Sequence, residues 1–155
     1  MGRIIEFLTL NIATDNLDSA LAKWRGLGLT NLPLAHMPQP PVEIDDVTLP
    51  LGEAGAISLI APTGPGSPVR RFLDRRGPGA FSLAVRVDSL GDVMAEWKSA
   101  GIEWVLPEPQ LLPPGTPAAR YKPERLKVNW VKPGSLGGIM LEVFEFEGRI
   151  EQQAS

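Results

Sequence analysis

Glu142 stands in the run GIMLEVFEF, with Leu141 and Val143 beside it and Met140 and Phe144 two residues away on either side. A carboxyl group in apolar surroundings is harder to ionise than one in water. It can therefore hold or take a proton near neutral pH, the chemistry of general acid–base catalysis. Four other polar residues stand among small or apolar neighbours in extended runs: Thr9, Asn11, Ser58 and Ser82. Groups of this kind donate hydrogen bonds to the oxygen of a developing enolate. Met140, Phe144 and Trp130 supply apolar wall next to them. The set predicts a ligand site with mostly apolar walls and a few convergent polar groups, Glu142 being its catalytic residue.

The elements that must position these residues are written twice. FLTLNIATDNLDSALAKW, residues 7–24, returns as AFSLAVRVDSLGDVMAEW, residues 80–97, a shift of 97 − 24 = 73 positions. Each copy opens with alternation: Leu8, Leu10 and Ile12 against Thr9 and Asn11, then Leu83, Val85 and Val87 against Ser82 and Ala84. A helix follows each, capped by Asp15 or Asn16 and by Asp88 or Ser89, and stopped at Gly28 and Gly101. The helices span 17–27 and 90–100. Their stripes place Trp24 and Trp97 in the core, while Trp104 and Trp130 are candidates for a cleft wall.

Each copy continues into a short strand, a proline-rich loop and a hairpin. Pro33 to Pro41 and Pro107 to Pro123 hold ten of the sixteen prolines, so these loops are not central strands. The unit is βαβββ, present as module one over 4–62 and module two over 79–146. A linker helix over 67–76 starts with Ser67 as cap and Pro68 in its first turn. A polar tail, 148–155, frays after a single domain of residues 1–147. The fold class is α+β: a curved mixed sheet whose helices pack on one side and whose other side encloses one cleft. Alternation puts Thr9, Asn11, Ser58, Ser82 and Glu142 on the cleft side.

Composition narrows the function. The chain of 155 residues carries a net charge of −3, which argues against nucleic acid as a partner. It has no cysteine, hence no disulfide, thiolate ligand or cysteine nucleophile. No apolar run reaches the roughly 18 residues that cross a bilayer, and the start MGRIIEF enters strand at once, so a cytoplasmic protein without a membrane partner is expected. The one histidine, His36, falls in the first proline-rich loop and reads as exposed. Basic clusters at Arg70, Arg71, Arg75 and Arg76, and at Arg120, Lys122, Arg125 and Lys127, read as solvated faces; the sharper reading is that one of them meets an anionic ligand.

The phrases NIATDNLDSALAKW, VTLPLGEAGAISLIAP, SPVRRFLDRRGPGAFSLAVRVDSL and KPGSLGGIMLEV, in this order, resemble the vicinal oxygen chelate superfamily and, within it, the methylmalonyl-CoA epimerase family. The resemblance runs from Ile5 to Glu145 and implies a small-molecule or acyl-thioester ligand and a homodimer. It also implies metal ligands on four inner strands. Carried over, these positions fall on Thr9, Ser58, Ser82 and Glu142, and only Glu142 keeps a ligand residue. A further acid–base glutamate of the epimerases falls near Pro40 or Pro41, with Glu43 two or three residues away. Hydroxyls are weak ligands for a divalent ion, so no metal and no other cofactor is expected. Two readings stand. One is a metal-free isomerase, epimerase or lyase moving a proton on a small carbonyl compound or acyl thioester. The other is a non-catalytic small-molecule binding or sequestering protein of the bleomycin-resistance type.

Overall fold

A computed structural model describes residues 2–153. Its elements run β1 (Ile4–Ala13), α1 (Leu17–Arg25), β2 (Ala35–Met37), β3 (Ile44–Leu51), β4 (Gly55–Pro62), α2 (Pro68–Arg76), β5 (Gly79–Val87), α3 (Leu90–Ser99), β6 (Gln110–Leu111), β7 (Tyr121–Val131), a 3-10 turn (Pro133–Leu136) and β8 (Met140–Gln152). The class is α+β, and βαβββ occurs twice. The strand order is β2-β3-β4-β1 in the first module and β6-β7-β8-β5 in the second, the same order in both. In each, the opening strand runs parallel to the last and the other pairs are antiparallel.

The caps follow the local sequence. Asn16 accepts from the Ser19 amide, Ser89 from Asp92 and Ser67 from Val69, satisfying amides that a helix start leaves without partners. Gly28 and Gly101 both take positive φ, +86° and +89°, just past α1 and α3, where a side chain would be strained.

Two compact units divide the chain, residues 2–9 with 82–153 and residues 10–81, so β1 contributes to both. In the unit of 10–81, Leu21 of α1 packs on Val47, Leu49, Ile57 and Leu59, with Leu10, Ile12 and Trp24 at its margin. A second cluster joins Val69 and Leu73 of α2 to Ala13 and Ile60. In the other unit, Leu90 and Val93 of α3 pack on Val85, Val87, Val131 and Val143, with Met94, Trp97 and Trp104 at the margin. Trp24 and Trp97 face the core as their stripes predict, but pack half-buried against its margin.

Three expectations are corrected. The short strand of each module does not follow its helix directly. It lies inside the proline-rich segment, where a proline-free gap leaves amides to donate: β2 between Pro33 and Pro38, β6 between Pro109 and Pro113. His36 is therefore a strand residue, opposite Asp45 and bonded to it at 2.6 Å, with its side chain 58% exposed. The tail does not fray at residue 147, because β8 continues to Gln152, pairing Glu147 with Arg125 and Gln152 with Tyr121. Arg125 and Lys127 both bond Glu147, which anchors that extension. Met1, Ala154 and Ser155, the ends of the expected domain and tail, lie outside the described residues.

Candidate functional site

In the unit of 2–9 and 82–153, the opposing residues of β5, β8 and β7 form rows across the sheet. Ala84 faces Glu142, and Glu142 faces Trp130. On one side of this row Ser82 faces Met140; on the other, Arg86 faces Phe144, which faces Val128. Val85, Val87, Val131 and Val143 alternate with these residues and pack on α3, so the rows occupy the sheet's other face. Glu142, Met140, Phe144, Trp130 and Ser82 thus lie within three neighbouring rows. Ser82 is 2% exposed, Phe144 8% and Trp130 9%, while Glu142 and Met140 are half-buried. The Trp130 indole Nε1 donates to Glu142 Oε2 at 2.8 Å. Thr9 is buried in the same unit.

The unit of 10–81 holds the equivalent row. Asn11 faces Ser58, and Ser58 faces Thr48. All three are buried, and the Thr48 and Ser58 hydroxyls lie 3.1 Å apart. Thr48 was missed in the sequence, although the alternation Asp46, Thr48, Pro50 set against Val47 and Leu49 carried the signal.

Arg86 was missed as well, and its signal was the continuing alternation Ser82, Ala84, Arg86. Its guanidinium lies 4.6 Å from the centre of the Phe146 ring and 3.6 Å from Glu6 Oε2. Its Nε is buried without a hydrogen-bond partner. Tyr121 donates its phenol to Glu6 and meets Phe146 edge-on at 5.5 Å. The bond to Glu6, with burial adding to it, holds the Tyr121 phenol above its usual pKa.

Other sequence candidates lie elsewhere. Trp104 does not take part in these rows: it stacks on Trp97 at 5.6 Å, on the α3 side of the sheet. Glu43, two or three residues from the position of the epimerase glutamate, faces the turn before α2. Its carboxylate lies over Gly64 and Gly66, so close that a Cβ on either would come within 2.9 and 2.7 Å of it. In the basic clusters, Arg70 pairs with Asp15 at 2.8 Å and with Asp74 at 2.9 Å, Arg71 donates to the Gly66 carbonyl, and Arg125 and Lys127 bond Glu147.

Residues 10–119 match the model of the Glyoxalase/Bleomycin resistance protein/Dioxygenase superfamily. The chain belongs to this superfamily. Solved structures agree with the vicinal oxygen chelate fold. A methylmalonyl-CoA epimerase from Mycobacterium tuberculosis is 26% identical, with a TM-score of 0.78 over 94% of this chain and 90% of that one. The hypothetical protein BH1468 from Bacillus halodurans C-125 is 24% identical, with a TM-score of 0.77 over 97% and 99%. A Streptomyces coelicolor methylmalonyl-CoA epimerase in complex with 2-nitronate-propionyl-CoA is 17% identical, with a TM-score of 0.77 over 94% and 100%. Among curated proteins none matches the sequence.

The likeness implies a divalent ion on four inner strands, and the residues here do not fit one. Of the four positions that the likeness assigns to ligands, three carry hydroxyls, Thr9, Ser58 and Ser82. The fourth, Glu142, already accepts from an indole. Among the described residues no group of three or more histidines, cysteines, aspartates or glutamates is placed to hold a metal. A divalent ion needs several anionic or imidazole donors converging on it, and this set offers one carboxylate.

Proposed function

We propose that the chain is an isomerase-type enzyme that moves a proton at the carbon next to the carbonyl of a small carbonyl compound or acyl thioester, with the Glu142 carboxylate as acid and base. One observation carries the reading. Glu142 is a carboxylate in a row with Ala84 and Trp130, flanked by Met140 and Phe144, and it is held by the indole N–H. A base oriented by a fixed donor in apolar surroundings is suited to removing a weakly acidic proton. Glu142 takes the proton, the electron pair of the C–H bond moves onto the carbonyl oxygen as an enolate, and the same carboxyl returns the proton to the opposite face of the planar carbon once the enolate has turned, which inverts that carbon. Nothing is gained or lost overall. The Ser82 and Thr9 hydroxyls, buried in the same unit, are the donors proposed for the enolate oxygen. Arg86, one row from Glu142, is proposed to receive a substrate carboxylate or phosphate. The epimerases of like fold, one solved with methylmalonyl-CoA and NH4+, favour an acyl-CoA thioester.

The test is deuterium exchange into the α-carbon of acyl-CoA thioesters in D2O, beginning with methylmalonyl-CoA. Wild type should label the substrate and Glu142→Gln should not, while the affinity of the variant stays within about tenfold, roughly 1.4 kcal/mol. Labelling that survives in Glu142→Gln would remove the assignment. The hydroxyls at three of the four ligand positions favour a second reading, a binding protein. That reading predicts saturable binding with no exchange in wild type. The open edges of the short outer strands β2 and β6 support a homodimer, which sedimentation would distinguish from the 16.8 kDa single chain.

A further inference from the structure

A groove of about 790 Å³ lies on the α3 side of the second module, on the opposite face of β7 from Trp130. Met94, Trp104 and Leu106 form its apolar wall, and Lys98 and Lys132 bring two ammonium groups to its lining. Two carboxylates share that lining. Glu108 is one; Glu103, the other, is 70% exposed and reaches Lys132 only at 3.8 Å. An exposed pair at that distance contributes little and is readily exchanged for another anion.

The wall is built before any ligand arrives. Asn129, fully buried, accepts from the Leu106 amide at 3.1 Å and donates to the Leu106 carbonyl at 2.9 Å. The Val105 amide donates to the Trp130 carbonyl at 2.8 Å, and the Lys132 amide to the Glu103 carbonyl at 2.9 Å. Within this fixed wall the Trp104 Nε1–H is buried and has no acceptor.

Apolar wall, aromatic ring and two lysines together suit one ligand chemistry. We infer that this groove is a second binding site, for an amphipathic anion: a molecule with a flat or aliphatic apolar body that lies along Met94, Trp104 and Leu106, and a carboxylate, sulfonate or phosphate that meets Lys98 and Lys132. The size is that of a small-molecule site, a few hundred to about a thousand Å³. The site is independent of Glu142, which lies on the other face of the sheet.

Fluorescence titration of the full chain with 8-anilinonaphthalene-1-sulfonate tests it. Binding should be saturable, and the Lys98→Met/Lys132→Met variant should lose at least about tenfold in affinity. Both lysines lie on the surface, so the double variant should melt like wild type. Glu142→Gln should bind the probe as wild type does. The uncharged N-phenyl-1-naphthylamine should bind at least about tenfold more weakly than the sulfonate. No saturable binding, a loss below tenfold in the lysine variant, or a loss produced by Glu142→Gln would each overturn the proposal.

Discussion

Trp130 and Glu142 are directly opposed on β7 and β8, and the indole of the first donates to the carboxylate of the second at 2.8 Å. Thr48 and Ser58 hold the equivalent places on β3 and β4, hydroxyl to hydroxyl at 3.1 Å. The duplicated fold has filled one sheet position with two kinds of pair. Only the pair in the second module contains a group that can take a proton from carbon, and it contains the donor that orients that group.

Trp130→Phe should separate orientation from binding. The phenyl ring keeps most of the apolar wall, while the N–H to Glu142 is lost. Turnover should fall by about tenfold or more, since a hydrogen bond to a charged group contributes about 1.5–3 kcal/mol, and KM should change by less. Equal losses in binding and turnover would mean that the indole serves only as wall. The measurement is steady-state kinetics on the thioester that exchanges fastest.

In the first module the cost of a broken pair should exceed the cost of an absent one. Thr48→Val leaves the Ser58 hydroxyl in a buried place with one partner fewer, which should cost about 1–3 kcal/mol in denaturant unfolding. Adding Ser58→Ala removes the stranded group. The double variant should then cost less than the sum of the two single changes. Strict additivity would show that the two hydroxyls do not interact.

Much of the fold could be read because its signals are local. The caps at Asn16, Ser67 and Ser89 and the glycines at 28 and 101 each act within one turn of chain, and the 73-residue repeat writes the same local signals twice. What could not be read depends on partners distant in sequence. The strand from Glu147 to Gln152 looks polar and free until Arg125 and Lys127 are seen beside it. His36 reads as a loop residue until Asp45 lies opposite. In the candidate site, Glu142 stood out in the sequence because a carboxylate interrupts apolar alternation. Arg86 and Thr48 obey the same alternation, but a basic or hydroxyl residue near the end of a strand looks like any solvated position. Trp104 could not be placed because alternation does not extend into the segment between Ile102 and Pro109, and its packing on Trp97 decides its side.

Asn129 should be the most costly polar residue to remove. It is fully buried. Its Oδ1 accepts from the amides of Leu106 and Trp130, and its Nδ2 donates to the Leu106 carbonyl and to Met94 Sδ at 3.4 Å. Asn129→Ala leaves amides and a carbonyl unmet and opens a small void, which should cost about 3 kcal/mol or more. Hydrogen exchange should quicken at Val105 and Leu106 before it quickens in β8. Uniform quickening along the chain would show that the side chain is not a local tether.

Alkaline pH should release the Tyr121–Glu6 contact. The phenol donates to the Glu6 carboxylate, and that bond, with burial, raises the Tyr121 pKa, while Arg120 and Arg86 oppose the shift. A raised pKa in the folded chain means that folding favours the protonated phenol. The contribution is therefore complete below the unfolded value of about 10 and is lost as pH rises through the folded value, where a phenolate would face a carboxylate. At pH 7 Tyr121→Phe should be less stable than wild type by about 1–2 kcal/mol. Above pH ~10 the gap should close, because wild type loses what the variant never had. Lys127, whose pKa is raised by Glu147, adds its own alkaline loss, but it is present in both proteins and cancels in the difference. Thermal melts of the pair from pH 7 to 11 decide the matter, and a gap that stays constant across that range would show that the Tyr121 proton is not linked to folding.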